Sequence, residues 1–350
     1  MKKVVEIAGR KVGEGFPPYL IAELSANHNG SIERALATLE AAQRAGAHAI
    51  KLQTYTADTM TLDCDLPDFR IHSGPWAGYT LHALYEEAHT PYEWHRILFD
   101  HARRLGITIF STPFDESAIE LLERLDTPAY KIASFENTDL PLIRAVARTG
   151  KPIILSTGMA SAEEIAEALD TARSNGCREI VLLHCVSSYP APIEQANLRM
   201  IPALASRFNV PVGLSDHTLG STAAVAAVAL GACVIEKHFT LSRKEKGPDS
   251  EFSMEPEEFR RLGEEALAAW QALGSGDFVR PKAESGSKTF RRSIYFVRDL
   301  PAGAIVGPED IRRIRPGYGL APKHFESLLG RRLKVAVKRG MATRWEMFDD

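Results

Sequence analysis

Two histidines in this sequence each follow a polar residue at a spacing of two: Ser215 with His217 in GLSDHT, and Glu236 with His238 in IEKHFT. In an extended chain that spacing puts both side chains on one face. Two imidazoles from neighbouring strands suit a divalent metal whose other positions are filled by water or substrate oxygens. A lone strand-end histidine is more often a hydrogen-bonded structural group. Lys51 and Gln53 share a face in KLQT, and Lys131 in YKIASFE supplies a second lysine. An inward lysine must be compensated, so Lys51 and Lys131 ask for an anion or for carboxylate partners within the site. With the hydroxyls of Ser111, Ser134, Ser156 and Ser215 around them, the anion expected is small and multiply charged, such as a phosphorylated carboxylate. The alternative is lysine–glutamate pairing. Glu23 in IAELSANHNG and Asp249 in GPDS add carboxyls for metal ligation or acid–base work, although GPDS reads equally well as an ordinary turn. His28, His72, His82, His89, His95 and His101 show no comparable pattern and are expected at the surface or in a lid.

These residues stand at the ends of apolar runs. Eight such runs, 19–25, 49–53, 107–112, 129–134, 152–157, 180–185, 210–216 and 233–239, read as strands. Helical spacing follows each, over 31–45, 91–105, 116–125, 140–149, 161–174, 198–208, 221–230 and 256–273. Ser31 and Ser161 mark helix starts, and Gly46, Gly106 and Gly150 mark helix ends. Strict alternation implies a parallel sheet covered by helices, and eight repeats fit an α/β fold closed into a (β/α)8 TIM barrel. An open doubly wound sheet is the rival, but NHNGS after the first strand is no glycine-rich phosphate loop. In a barrel all eight polar strand ends converge on one mouth, where such folds place their chemistry. Lys131 opposes Ser134 and Glu136 in parity, so the fourth strand is expected to end between them. The rhythm breaks between Thr54 and Pro91, and an insertion of that length after a strand reads as a substrate lid. Residues 1–274 are expected to form the barrel domain and 275–290, rich in Gly, Ser and Lys, a linker. Residues 291–350, with short strand-like pieces and Gly/Pro turns, are expected to form a small second domain, marginal on its own.

Composition excludes several classes. The 350 residues are 45% hydrophobic and 25% charged, with 42 basic and 45 acidic side chains and a net charge of −3. That is neither a disordered chain nor one that binds nucleic acid by bulk electrostatics. The longest apolar stretch, 223–235, falls short of the roughly 20 residues a bilayer requires. The first residues carry no secretory pattern, and the four cysteines show no metal spacing. A cytoplasmic protein with free thiols is expected.

Taken together, IAELSANHNG, KLQT, STPFDE, YKIASFE, ILSTGM, HCVSSYP, GLSDHT, EKHFT and GPDS resemble the sialic acid synthase family, the phosphoenolpyruvate-dependent nonulosonate synthases. RPGYGL and LLGRRL resemble the antifreeze-like (SAF, β-clip) domain that ends these enzymes. Within the family the motifs look most like the pseudaminic acid synthases. The N-acetylneuraminate branch typically has KHQ and KIGSGE where this chain has Leu52, Ala133 and Phe135, and Asn where Ser187 stands. These differences make the pocket more apolar, as a deoxygenated, doubly acetamidated acceptor would require. The legionaminic acid synthases would ask for similar chemistry.

The resemblance implies condensation of phosphoenolpyruvate with the open-chain aldehyde of an N-acetylated amino sugar, with cleavage of the C–O bond. It assigns His217 and His238 to a divalent metal, Mn²⁺ with Mg²⁺ or Co²⁺ as substitutes, and the water's proton to Glu23. Lys51, Lys131, Ser134, Ser156, Ser187 and Ser215 would hold phosphoenolpyruvate. Gln53, Glu136, Tyr189, Asp249 and Arg315 would face the sugar, Arg315 from the partner subunit of a domain-swapped homodimer. Rivals are a barrel aldolase, a synthase for phosphorylated sugars of the deoxy-heptulosonate or deoxy-octulosonate kind, and a non-catalytic sugar-binding barrel.

Overall fold

The computed structural model describes residues 3–279 and 281–349. The chain divides into two compact units, 1–274 and 275–350.

The first unit opens with an antiparallel hairpin, β1 (Val4–Ile7) and β2 (Arg10–Gly13). Eight parallel strands follow: β3 (Tyr19–Glu23), β4 (Ala49–Thr54), β5 (Thr108–Pro113), β6 (Tyr130–Ile132), β7 (Ile153–Ser156), β8 (Ile180–Cys185), β9 (Val212–Asp216) and β10 (Val234–His238). They close into a barrel, with β10 pairing to β3. Burial on both strand faces explains why the runs are apolar throughout rather than alternating. As the parity of Lys131 implies, β6 stops at Ile132, and Ser134–Glu136 turns into a short 3-10 helix.

The helices are α1 (Ile32–Arg44), α2 (Ala57–Met60), α3 (Leu81–Ala88), α4 (Tyr92–Leu105), α5 (Glu116–Arg124), α6 (Leu140–Ala147), α7 (Ala162–Ser174), α8 (Met200–Phe208), α9 (Thr222–Ala229) and α10 (Pro256–Ala272). Local chemistry sets their ends. Ser31 accepts the Arg34 N–H, Ser161 and Glu164 form a reciprocal capping box, and α4 stops at Gly106, whose φ of 70° suits a residue without a Cβ.

Leu39, Phe99, Leu122, Ile143, Leu169 and Phe259 pack the helices onto the barrel's outer face. Inside the barrel, Tyr19, Ile21, Phe110, Ile154, Val181 and Val234 form one cluster with Val5, Ile7 and Val12 of the hairpin. The hairpin therefore packs with the interior layer, a feature outside the strand–helix rhythm read from the sequence. The polar strand ends are left at the opposite, C-terminal rim. The Thr54–Pro91 insertion is not a bare loop: it folds into α2, a 3-10 turn at Pro67–Phe69 and α3, tied by a bridge between Arg70 and Thr80.

The second unit has its own small core of Ile294, Phe296, Val306, Ile311, Leu328, Leu333, Val337 and Phe348. Its antiparallel pair, β11 (Ser293–Phe296) and β12 (Ile311–Ile314), is joined by isolated bridges such as Leu300 to Val337 and Leu333 to Phe348. Within the segment expected to be a plain linker, Lys282–Phe290 forms a 3-10 helix. The four cysteines are free, and no helix among the described residues is long and apolar enough to cross a membrane.

Candidate active site at the barrel mouth

The charges at the strand ends are wired together. Lys51 of β4 places its Nζ 3.2 Å from Glu23 Oε2 of β3 and 3.2 Å from Glu236 Oε1 of β10. Lys131 of β6 lies 3.8 Å from the same Glu236 oxygen and donates to Ser156 Oγ at 2.6 Å. Ser215 donates to Glu236 Oε1 at 3.0 Å. Of the two readings of the lysines, the structure shows the pairing with glutamates.

Protonation decides the balance. Burial opposes ionisation of Glu236, but Lys131 and Lys51 outweigh it and hold that carboxyl well below the usual range. Burial raises the Glu23 carboxyl above its ordinary value despite Lys51. Burial likewise pushes Lys131 down to about 8, partly offset by Glu236. Lys51 is also desolvated, yet Glu23 and Glu236 hold it above an ordinary lysine. Two lysines therefore share the floor of the mouth with Glu236, the carboxyl held most firmly ionised, while burial favours the neutral form of Glu23.

Beside the lysines is a socket of hydroxyls. Ser134 Oγ accepts the Gly158 N–H at 3.2 Å. A Cβ on Gly158 would stand 2.3 Å from Ser187 Oγ and 2.6 Å from Ser134 Oγ. Only glycine leaves this corner open, and sequence reasoning passed over it.

The two imidazoles converge. The rings of His217 and His238 have centroids 5.4 Å apart. His217 Nδ1 donates to the Val186 carbonyl at 3.0 Å and lies 3.9 Å from Cys185 Sγ; burial opposes protonation of this imidazole, but the Cys185 contact outweighs it and holds the group above its ordinary value. His238 Nδ1 is buried without a hydrogen-bond partner, 3.7 Å from Asp249 Oδ2. Burial, then the neighbouring His217 and Lys51, keep the His238 imidazole neutral. A divalent ion bound to two imidazoles through bonds of about 2.1 Å sets ring centroids about 5 Å apart. The pair fits such an ion. Among the described residues no cluster of three or more His, Cys, Asp or Glu side chains is arranged to hold a metal.

Next to the histidines opens a cavity of about 400 Å³. Gln53, Glu136, Tyr189, Asp249, Ser187 and His238 line one part of it, and Tyr55, Phe114 and Phe135 add apolar wall. Gln53 donates to Glu23 Oε1 at 2.9 Å and to Ser25 Oγ at 3.0 Å. Ser25 donates in turn to Asp249, so Asp249 is held by the first barrel loop rather than being a free turn residue. The Tyr189 ring lies 4.3 Å from that of His217. Burial raises the Glu136 carboxyl to about 7, and its buried Oε2 has no partner.

The insertion supplies Met60, Ile71, Trp76, Leu81 and Tyr85 to the same cavity, as expected of a lid. Trp76 Nε1–H donates to the Pro248 carbonyl at 2.9 Å, tying the insertion to the loop after β10. Ser25 stands among the polar residues at the end of the first strand, but Trp76 was not legible as a site residue; a tryptophan within a Gly/Pro segment was the available signal.

Two histidines are not where sequence reasoning put them. His28 and His95 are buried, not on the surface. His95 Nε2 lies 2.8 Å from Thr54 Oγ1, which meets Ser111 Oγ at 2.6 Å, while Nδ1 donates to the Pro91 carbonyl. Ser111 therefore serves this internal network. Arg315 is exposed, directly after β12 in the second unit.

A closed parallel barrel with lysines, glutamates and two imidazoles at its C-terminal mouth has the form of an enzyme acting on a small anion. The chain belongs to the NeuB family, whose model matches residues 38–278, and a SAF domain occupies residues 291–349. It is 44% identical to a pseudaminic acid synthase of Campylobacter jejuni subsp. jejuni, over 93% of this chain and 95% of that protein. The N,N'-diacetyllegionaminic acid synthase of Legionella pneumophila is 38% identical, over 95% of each. The crystal structure of an N-acetylneuraminic acid synthetase from Leptospira borgpetersenii, in complex with citrate, superposes with a TM-score of 0.74 at 32% identity, covering 82% of this chain and 95% of that one.

Proposed function

We propose that this chain condenses phosphoenolpyruvate with 2,4-diacetamido-2,4,6-trideoxy-L-altrose to give pseudaminic acid and phosphate. The observation that carries the reading is the adjacency of a lysine-rich anion socket to the His217–His238 pair and a largely apolar cavity. The likeness to the Campylobacter jejuni protein supports the choice of product.

Lys51, Lys131, Ser134, Ser156, Ser187 and Ser215 hold the phosphate and carboxylate of phosphoenolpyruvate. His217 and His238 hold a divalent cation, Mn²⁺ being the first candidate, which when bound polarises the aldehyde oxygen as a Lewis acid. The enol carbon C3 attacks the aldehyde, water adds at C2, and phosphate leaves with the bridging oxygen. Glu23, raised by burial and oriented by the Gln53 amide, takes the proton of that water. Glu136, Tyr189, Asp249 and Gln53 position the acceptor. The apolar walls receive its deoxygenated carbon, where a site built to bind a hydroxyl would be left unpaired. Arg315 contacts an acetamido group from the partner subunit of a homodimer.

The test is mass spectrometry of products from phosphoenolpyruvate and a panel of amino sugars, with ¹⁸O in the bridging position. Labelled phosphate and a nine-carbon acid from the L-altro sugar are expected. A product from the legionaminate precursor alone would move the assignment to the second reading, which the Legionella pneumophila relative supports. Unlabelled phosphate would overturn the C–O cleavage, and no turnover of any sugar would favour a binding protein.

A further inference from the structure

On the opposite face of the two strands that carry the imidazoles lies an ion pair to which the proposed chemistry gives no role. Asp216 of β9 and Lys237 of β10 stand directly opposite each other in the strand register. Their parity turns them away from the barrel axis, while Ser215, His217, Glu236 and His238 turn toward the mouth. Both side chains are 1% exposed, and Lys237 Nζ lies 2.7 Å from Asp216 Oδ2. The same ammonium donates to the Thr218 carbonyl. Asp216 Oδ1 accepts the Thr218 N–H at 2.9 Å. The contacts close a ring that crosses from β10 to β9 and takes in the residue immediately after His217.

As a source of stability this arrangement is poor. Removing two charges from water costs several kcal/mol per ion, and well-packed apolar residues of similar volume often serve a fold as well or better. Apolar contact, however, has no direction. Charge-assisted hydrogen bonds fix both distance and angle, here between the two strand ends whose next residues are His217 and His238. We propose that Asp216 and Lys237 are positioning residues: they fix the spacing of the two imidazoles, and through it the affinity for the divalent cation that the pair holds. The inference rests on the metal reading given above.

The experiment measures Mn²⁺ binding to metal-free protein, by loss of the free-ion EPR signal, alongside thermal melting without metal. Either single change leaves a buried charge unpaired and lowers stability for trivial reasons, so the informative variant is Asp216→Leu with Lys237→Met. It is expected to remain folded and to bind Mn²⁺ 10- to 100-fold more weakly, the range found for outer-sphere changes. Unchanged Mn²⁺ affinity in a folded double variant overturns the proposal. Should that variant fail to fold, Asp216→Asn with Lys237→Met keeps the acceptor for the Thr218 N–H, and unchanged affinity there overturns the proposal equally. Failure of the underlying reading is distinguishable. In that case wild type and His217→Ala/His238→Ala bind Mn²⁺ alike, or wild type binds none, and both inferences fall together.

Discussion

Lys51 Nζ and Glu236 Oε1 lie 3.2 Å apart although their strands are not neighbours, since β3 runs between β10 and β4. The contact exists because both side chains point into the barrel, and Glu23 of the intervening strand joins it at 3.2 Å. Lys51, Lys131, Glu23 and Glu236 share partners with one another, so no single substitution among them acts on one residue alone.

Lys51→Met should therefore cost roughly 3–5 kcal/mol of stability, the usual penalty for breaking a buried pair, and should also abolish measurable phosphoenolpyruvate binding. Adding Glu23→Gln removes the carboxyl left without its ammonium, while Glu236 keeps Lys131 as a partner. The double variant should regain stability in urea unfolding while calorimetry still shows no phosphoenolpyruvate binding. Recovery of both together would argue that the lysine serves only the fold.

Gly158→Ala tests the hydroxyl socket. The added methyl group would meet Ser187 and Ser134 at 2.3 and 2.6 Å, in the space given to phosphate. The KM for phosphoenolpyruvate should rise at least tenfold while the acceptor KM stays within about twofold, about 1.4 kcal/mol being a factor of ten. Equal effects on the two would move the phosphate elsewhere.

Much of this was legible because barrel strands carry their chemistry at fixed phase. Lys51 with Gln53, Ser215 with His217 and Glu236 with His238 group on common faces near strand ends by period-two parity, and barrel closure turns those faces inward. What escaped depended on three-dimensional neighbours. His28 is covered by Trp94 of α4, a contact no local pattern encodes, whereas His95 lies on the buried stripe of α4 with Leu98, Phe99 and Ala102, a helical spacing that was present in the sequence. The role of Gly158 is set by two serines from other loops. The hairpin packed with the barrel interior breaks no rule of spacing, since its apolar residues are too few to stand out in sequence.

Acid should weaken the fold through those buried histidines. Burial lowers His95 from 6.5 to about 4, so the unfolded chain takes up a proton at a higher pH than the folded one. Its contribution is complete above about pH 6.5 and is lost as pH falls toward 4. Glu136, raised to about 7, works in the opposite sense over part of this window, so the comparison must be between variants. Between pH 7.5 and pH 5, His95→Gln should lose about 2 kcal/mol less stability than wild type. Parallel urea profiles for the two would mean His95 titrates normally.

Trp76 ties the insertion to the loop after β10 and lies beside Tyr189, with ring centroids 5.6 Å apart and planes tilted by 56°. Trp76→Phe keeps the ring and removes the hydrogen bond, about 1 kcal/mol of interaction. The acceptor KM should rise severalfold and the phosphoenolpyruvate KM should not. The reverse pattern would exclude the insertion from the acceptor site.

The most direct measurement is anomalous diffraction from crystals grown with Mn²⁺ and phosphoenolpyruvate. One peak within bonding distance of His217 and His238, with phosphate density between Lys131 and the Ser134–Ser187 corner, is the expected result. Manganese bound elsewhere, or phosphate outside that corner, would contradict the proposed chemistry at its root.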